Sequence, residues 1–424
     1  MFSSIFSTAP PVDPTAPNFH SVSDRFSEAE VFGELEPQDT ELLCAGGFVT
    51  ETQIFYVCAN DGTMIMCQLI HSAVGVWYPT IQFVCKIANP AKGEKYWKSV
   101  NVNNFVTPPP GLDKRSSKAD EFSITYKASP DNKEFPEGYT VRANLGVDLQ
   151  VSFDIQRPAA IPGFKVGKGP EAGYSYFGND TKKADGYVIH RFWPRFHASG
   201  HIIRNGAAES VTGTGMFVHA IQGMRPNLVA ARWNFVHFQS DELDGVSAIE
   251  MEFTTTDAYG KHGAGSGGAT VSVGSVVVGG KLATVTTQSK WPGEASTGPN
   301  ICGTTHLKTE TDPDTSYAKP GEISFEWKGA SVVKDAPGSV EAKLNLDVGS
   351  IAEPKGLIDK VDILAEIPYV LKVAVNYVAG TKPFIYQWQN PATLKITGPD
   401  ALAPGLSSGV EVKGYAFNEA TFIS

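Results

Sequence analysis

The chain has 424 residues, more than one hydrophobic core usually organises, so two domains are expected. An apolar fraction of 42% with 24 Phe, 14 Tyr and 7 Trp excludes a disordered chain, and a formal net charge of −10 excludes the basic stripe of a nucleic-acid binder. Five cysteines without a CxxC pair exclude a zinc ribbon or dithiol motif; reduced, buried thiols are expected, with Cys58 and Cys67 able to meet across a hairpin.

In MFSSIFST a helical wheel puts Met1, Phe2, Ile5 and Phe6 on one side and Ser3, Ser4 and Ser7 on the other, before Pro10 and Pro11 end the pattern. So short a segment falls below the ~12–15 residues of an isolated helix in water, so it forms only on a surface. Its serine face, without Lys or Arg, suits lipid-packing defects better than anionic lipid. With STAPPVDPTAP following, residues 1–30 have the composition of a flexible tail. The first basic residue is Arg25 and no window nears the ~18 apolar residues of a membrane span, so a cytosolic chain is expected and the sequon at Asn179 unused.

From Gln53 onward period-two alternation dominates, the mark of strands with one buried face. QIFYVC and MIMCQLI flank the Asn60-Asp61-Gly62 turn signal, and Phe122, Ile124 and Tyr126 alternate with polar neighbours. Val147, Leu149, Val151, Phe153 and Ile155 form one row; Ile249, Met251 and Phe253 form another, between Glu250 and Glu252, which are expected to face water. Val340 to Val348 repeat the pattern. Helices are expected over 225–233, which begins RPNLV, and over 368–380, from Pro368 to Gly380. Such regular strands must close or stack, which points to two barrel-like domains, 31–222 and 223–424, divided near Gly223.

Chemistry is harder to find. IHRFWPRFHASGHI, Ile189 to Ile202, holds His190, His197 and His201, but Ala198 stands where a zinc-binding HExxH needs Glu. Read as a strand, a turn and the start of a second strand, the segment separates its histidines. GAGSGG (263–268) lacks the Lys and Ser/Thr of a P-loop and the strand–helix context of a dinucleotide fingerprint. No catalytic group, metal or cofactor is therefore expected. An apolar set does stand out: Phe192, Trp193, Met216, Phe217, Met224, Trp233 and Phe235, with Phe238, near His190, His219 and His237. It reads either as an inter-domain core or as a ligand chamber with a few polar groups.

YSYFGND (174–180), HRFWPR (190–195), IQGMRPNLVAARWNFVHFQS (221–240), AIEMEFTTTDAYG (248–260) and IPYV…GTKPFIYQW (367–388) closely resemble blocks of the fungal survival factor one family. The resemblance runs from about residue 20 to near the end. It implies an all-β fold of two tandem lipocalin-like barrels with a few short helices. It also implies a cytoplasmic and nuclear protein, peripheral on endoplasmic reticulum and Golgi membranes, that carries ceramide between them without vesicles and supports survival of oxidative and cold stress. Docking would use an N-terminal amphipathic helix with an acetylated start. A monomer is expected. The alternative is a lipocalin-like enzyme of the hydratase or pericyclase type, with His190 or His237 as acid.

Overall fold

The computed structural model describes residues 13–75, 78–294, 298–366 and 383–423. Met1, Phe2, Ile5, Phe6 and the helix expected over 368–380 lie outside them.

Fourteen strands make the first sheet: β1 (Phe19–His20), β2 (Phe32–Glu34), β3 (Gly47–Ala59), β4 (Met64–Gly75), β5 (Thr80–Asn89), β6 (Glu94–Asn101), β7 (Ser117–Lys118), β8 (Phe122–Ala128), β9 (Glu137–Asn144), β10 (Leu149–Arg157), β11 (Phe164–Val166), β12 (Tyr174–Phe177), β13 (Gly186–Arg204) and β14 (Ala207–Gln222). Its path is β6-β5-β4-β3-β14-β13-β10-β9-β8-β7, antiparallel throughout. After α1 (Pro226–Val229), the second sheet uses β15 (Arg232–Ser240), β16 (Val246–Thr254), β17 (Thr270–Val278), β18 (Lys281–Lys290), β19 (Ile301–Leu307), β22 (Glu322–Ala330), β23 (Ser339–Asp347), β24 (Leu357–Asp362), β25 (Phe384–Thr397) and β26 (Val410–Phe422). β20 (Glu310–Thr311) and β21 (Ala318–Lys319) form a separate ribbon, and α2 (Ile363–Glu366) follows β24. The architecture is the expected one, all-β with two tandem barrels and few short helices.

Alternation explains the strands. On β10 Leu149, Val151, Phe153 and Ile155 are buried while Asp154 and Gln156 are exposed; Val147, expected to lead that row, sits ahead of the strand and is exposed. Each sheet also buries its other face where the two meet. Ile54, Tyr56, Met64, Met66 and Val84 pack there against Phe235, Ile249, Val273 and Phe417, and Phe55, Ile65 and Phe83 fill the first lumen. Rows face one another: Trp97, Lys86, Met66, Tyr56 and Met216 are successive cross-strand partners. So are Asp359, Gln387, Glu419, Phe235 and Met251 opposite them. The hairpin tip between β3 and β4 docks on the second sheet, where the Gly62 carbonyl accepts from Gln389 Nε2 at 3.2 Å. Gly62 has φ +83, and a Cβ there would meet the Tyr415 ring at 2.5 Å, so only glycine makes this turn and this contact.

Three expectations change. The helix over 225–233 shrinks to Pro226–Val229, because the alternation of Trp233, Phe235 and His237 already belongs to β15. Ile189 to Ile202 lies within one strand, β13, with no turn; Pro194 marks a bulge between Trp193 and Phe196 and needs no ladder donor there. Cys58 faces Met64, and Cys67 faces Phe55 and Cys85; all five thiols are free. The described part of the supposed tail is structured: β1 pairs with β12, and Phe19 and Val22 are buried. Asn18 secures it, donating from its amide nitrogen to Gly260 O at 3.1 Å and from Nδ2 to Ala258 O at 2.8 Å. Phe19 touches Phe177 of the first sheet and Phe253 of the second, so residues 18–24 clasp the two barrels together.

Candidate functional site

The ten residues expected to line one chamber separate into three places. Phe192, Met216, Met224 and Phe235 lie in the core between the sheets, with Trp233 packed against it. His190 stands there too, its ring 6.0 Å from Phe192 and 5.9 Å from Trp233. His237 stacks among Tyr56, Phe235 and Phe417 at 5.2–5.9 Å, with neither ring nitrogen hydrogen-bonded. Burial pushes His190 down to about 4 and His237 down to about 3, so both are neutral and neither holds a proton to deliver near neutral pH. Trp193 and Phe217 instead fill the first lumen beside Tyr139, at 5.1 and 5.5 Å. His219 belongs to a polar tier at one end of that lumen.

In that tier His219 Nε2 faces Glu51 Oε1 at 2.7 Å and Nδ1 faces the Asp39 carbonyl at 2.8 Å. Burial opposes the Glu51 charge, but His219 and the Leu43 and Cys44 amides outweigh it and hold the carboxyl below its ordinary value. Asp39 in turn binds Lys165 at 2.7 Å and Arg191 at 3.2 Å.

Where the sheets diverge, a groove of about 510 Å³ opens between β4–β6 and β24–β25. Met66, Ile70, Val84 and Trp97 form one wall and Val361, Ile363 and Ile385 the other. Its base is polar. Lys86, 3% exposed, donates to Asp359 at 3.0 Å and to Gln387, whose amide donates to Glu419. Burial raises the Glu419 carboxyl above its usual range, opposed by Gln387 and Lys86. Each cation here meets a carboxylate: Lys95 meets Asp359 at 2.6 Å, and Lys360 meets Asp312 and Asp314 at 2.8 Å. The groove therefore offers apolar walls and a charge-balanced, hydrogen-bonding floor. None of its lining residues was singled out from the sequence. The signal lay in β4 and β5, where MIMCQLI and FVCKIA are apolar on both faces, which marks strands covered twice.

The second lumen holds a further polar cluster that the sequence reading placed in water. Glu250 and Glu252 are each 1% exposed. Their inward turn follows from their neighbours: Ile249 and Phe253 face the inter-sheet core, so the carboxyls face the barrel interior. Glu252 accepts from Asn234 at 2.8 Å, Ser272 at 3.0 Å and the Thr304 amide at 3.1 Å; Glu250 accepts from Thr304 Oγ1 at 2.7 Å. His306 Nε2 meets Asn234 Oδ1 at 2.8 Å. Burial first, then the Glu252 charge, pushes the Glu250 carboxyl well above its ordinary value, so it is the protonated member.

A model of the Svf1 family matches residues 2–424 of the chain. The ceramide-binding protein svf1 of Schizosaccharomyces pombe is 33% identical over 396 residues, 93% of this chain and 90% of its own. Its namesake from Aspergillus fumigatus is 34% identical over 389 residues, 88% of this chain and 86% of its own. Among solved structures, the crystal structure of CghA aligns with a TM-score of 0.57 at 11% identity, covering 89% of each chain. At that identity the likeness is one of fold, two lipocalin-like barrels, and bears on no chemistry.

Proposed function

The chain belongs to the Svf1 family, and from that premise we propose that it is a ceramide-binding protein whose inter-barrel groove takes the lipid. The groove carries the reading. Its volume of about 510 Å³ lies within the ~300–1,000 Å³ of small-molecule sites. At ~0.8 kcal/mol per buried methylene, about ten methylenes contribute about 8 kcal/mol before the costs of association. Micromolar binding needs about 8 kcal/mol net, so burial of further methylenes and the hydrogen-bonding floor must offset those costs. Ceramide presents only an amide and hydroxyls, and the floor suits it: Gln387 hydrogen-bonds, while Lys86 and Asp359 neutralise each other. The wider role is carriage of ceramide between endoplasmic reticulum and Golgi without vesicles, supporting survival of oxidative stress, by a cytoplasmic and nuclear monomer. Docking on those membranes falls to Met1, Phe2, Ile5 and Phe6.

The test is uptake of a fluorescent ceramide from donor vesicles. Ile70→Trp, at a half-buried position in the groove wall, is expected to cut uptake at least about tenfold, while a thermal melt moves little. Ceramide with a phosphate headgroup is expected to be taken up less well. Unchanged uptake by Ile70→Trp removes the groove from the reading. The protonated Glu250 favours a second reading, proton donation to an apolar substrate in the second barrel. Turnover of a polyene or polyketide that disappears in Glu250→Gln would support it.

A further inference from the structure

We propose that the end of the first barrel holds a divalent, thiophilic metal ion of the zinc type, bound by Cys44, Glu51 and His71. Their candidate donor atoms lie within 4.8 Å of one another. No spacing rule finds this set, because register assembles it: Glu51 on β3 and His71 on β4 are directly opposite partners, and Cys44 comes back over them from the preceding loop.

Three further observations point to a built site. Glu51 and His71 are 0% and 3% exposed, and His71 Nδ1 has no hydrogen-bond partner, an uncommon state for a buried imidazole. The Glu51 carboxylate is fixed by the Leu43 amide at 2.8 Å, the Cys44 amide at 2.7 Å and His219 at 2.7 Å. The same carboxylate thus orients itself and anchors the loop that carries the thiol, as outer-shell partners do around metals. Cys44 is held at φ +47, a left-handed conformation rare for a residue with a side chain, next to the amide that Glu51 grips.

The donor chemistry selects the ion. Thiolate, imidazole and carboxylate together suit zinc, not the oxygen-only shells of calcium or magnesium. Metal bonds of about 2.0–2.3 Å require the donors to draw in by about an ångström, within the reach of side-chain rotation. On binding, the Cys44 thiol releases its proton to solvent as sulfur takes the metal. Cys44 is the partly exposed member, so entry and the fourth position, filled by water, lie on its side. The site clips the 41–46 loop to the barrel end and lies apart from the groove; none of its three ligands lines the groove.

Cobalt(II) is the probe. The full chain, stripped with a chelator, is titrated with cobalt chloride and followed by its absorption spectrum. One equivalent is expected to give a thiolate-to-cobalt charge-transfer band with the visible bands of a four-coordinate ion, both erased by zinc. Cys44→Ser is expected to abolish the charge-transfer band, and His71→Gln to weaken cobalt binding at least about tenfold; Cys302→Ser, at a thiol in the other barrel, is expected to change nothing. Zinc should raise the thermal midpoint of the parent chain and not that of Cys44→Ser, a reading independent of how His71→Gln folds. Absence of the band in the folded parent chain, or its persistence in Cys44→Ser, overturns the site.

Discussion

At the scale of the residue, burial decides charge, and two groups make this measurable. Glu250 keeps its proton in the fold because burial and the Glu252 charge raise it, whereas in the unfolded chain it ionises above about pH 4.3. Its contribution to stability is complete below that pH and is lost as pH rises towards the folded value. His237 has the opposite sign. Its folded value of about 3 lies below the unfolded ~6.5, so its contribution is present above pH 6.5 and is lost as pH falls towards 3. Between about pH 4.5 and 6.5 the two effects oppose each other. Urea unfolding across that window is expected to tilt in opposite directions for the two variants. Relative to the parent, Glu250→Gln gains stability with rising pH and His237→Phe loses it, each by up to about 1.4 kcal/mol per pH unit. Parallel profiles for both variants would refute the assignments. Neither group was legible in the sequence as it behaves. Alternation shows that Glu250 and Ile249 point in opposite directions, but not that both directions are covered.

At the scale of the element, period two was legible and its context was not. Rows such as Leu149 to Ile155 follow the alternation, while β13 extends unbroken through Trp193 and Pro194 because a bulge absorbs the proline. The stretch after Val229 failed as a helix because its aromatic residues alternate, and pairing with β16 and β26 rewards that pattern. Composition failed in the same way over residues 18–24: polar and proline-rich surroundings hid Phe19, whose partners Phe177, Phe253 and Trp291 are distant in sequence. Removing that ring leaves a cavity shared by both sheets. Phe19→Ala is expected to cost about 3–5 kcal/mol, seen as a lower urea midpoint, whereas Asp13→Ala, at an exposed position, should leave the midpoint in place.

At the scale of the molecule, the two-barrel plan was readable, since many alternating strands need closed sheets, but the groove was not. It exists because the outer faces of β4 and β5 meet the second sheet over part of their length only, and no local pattern records where two sheets part. Membrane docking is tested at this scale. Replacing Phe2, Ile5 and Phe6 together with Ser is expected to abolish co-flotation with neutral, loosely packed vesicles and to leave the thermal melt unchanged; equal flotation of both proteins removes the membrane role of the segment.

The clasp formed by residues 18–24 also determines where force enters the protein. From Asp13 the chain enters the seam between the barrels, where Asn18 holds the Ala258–Gly260 loop and Phe19 sits between the sheets. A pull on the amino end, from a bilayer or from a bead in an optical trap, is therefore delivered to the seam and not to either barrel wall. The first rupture under load should be the zipper-like peeling of two short strands, β1 from β12, at low force. Both barrels, whose long strands are loaded only afterwards, would still be whole.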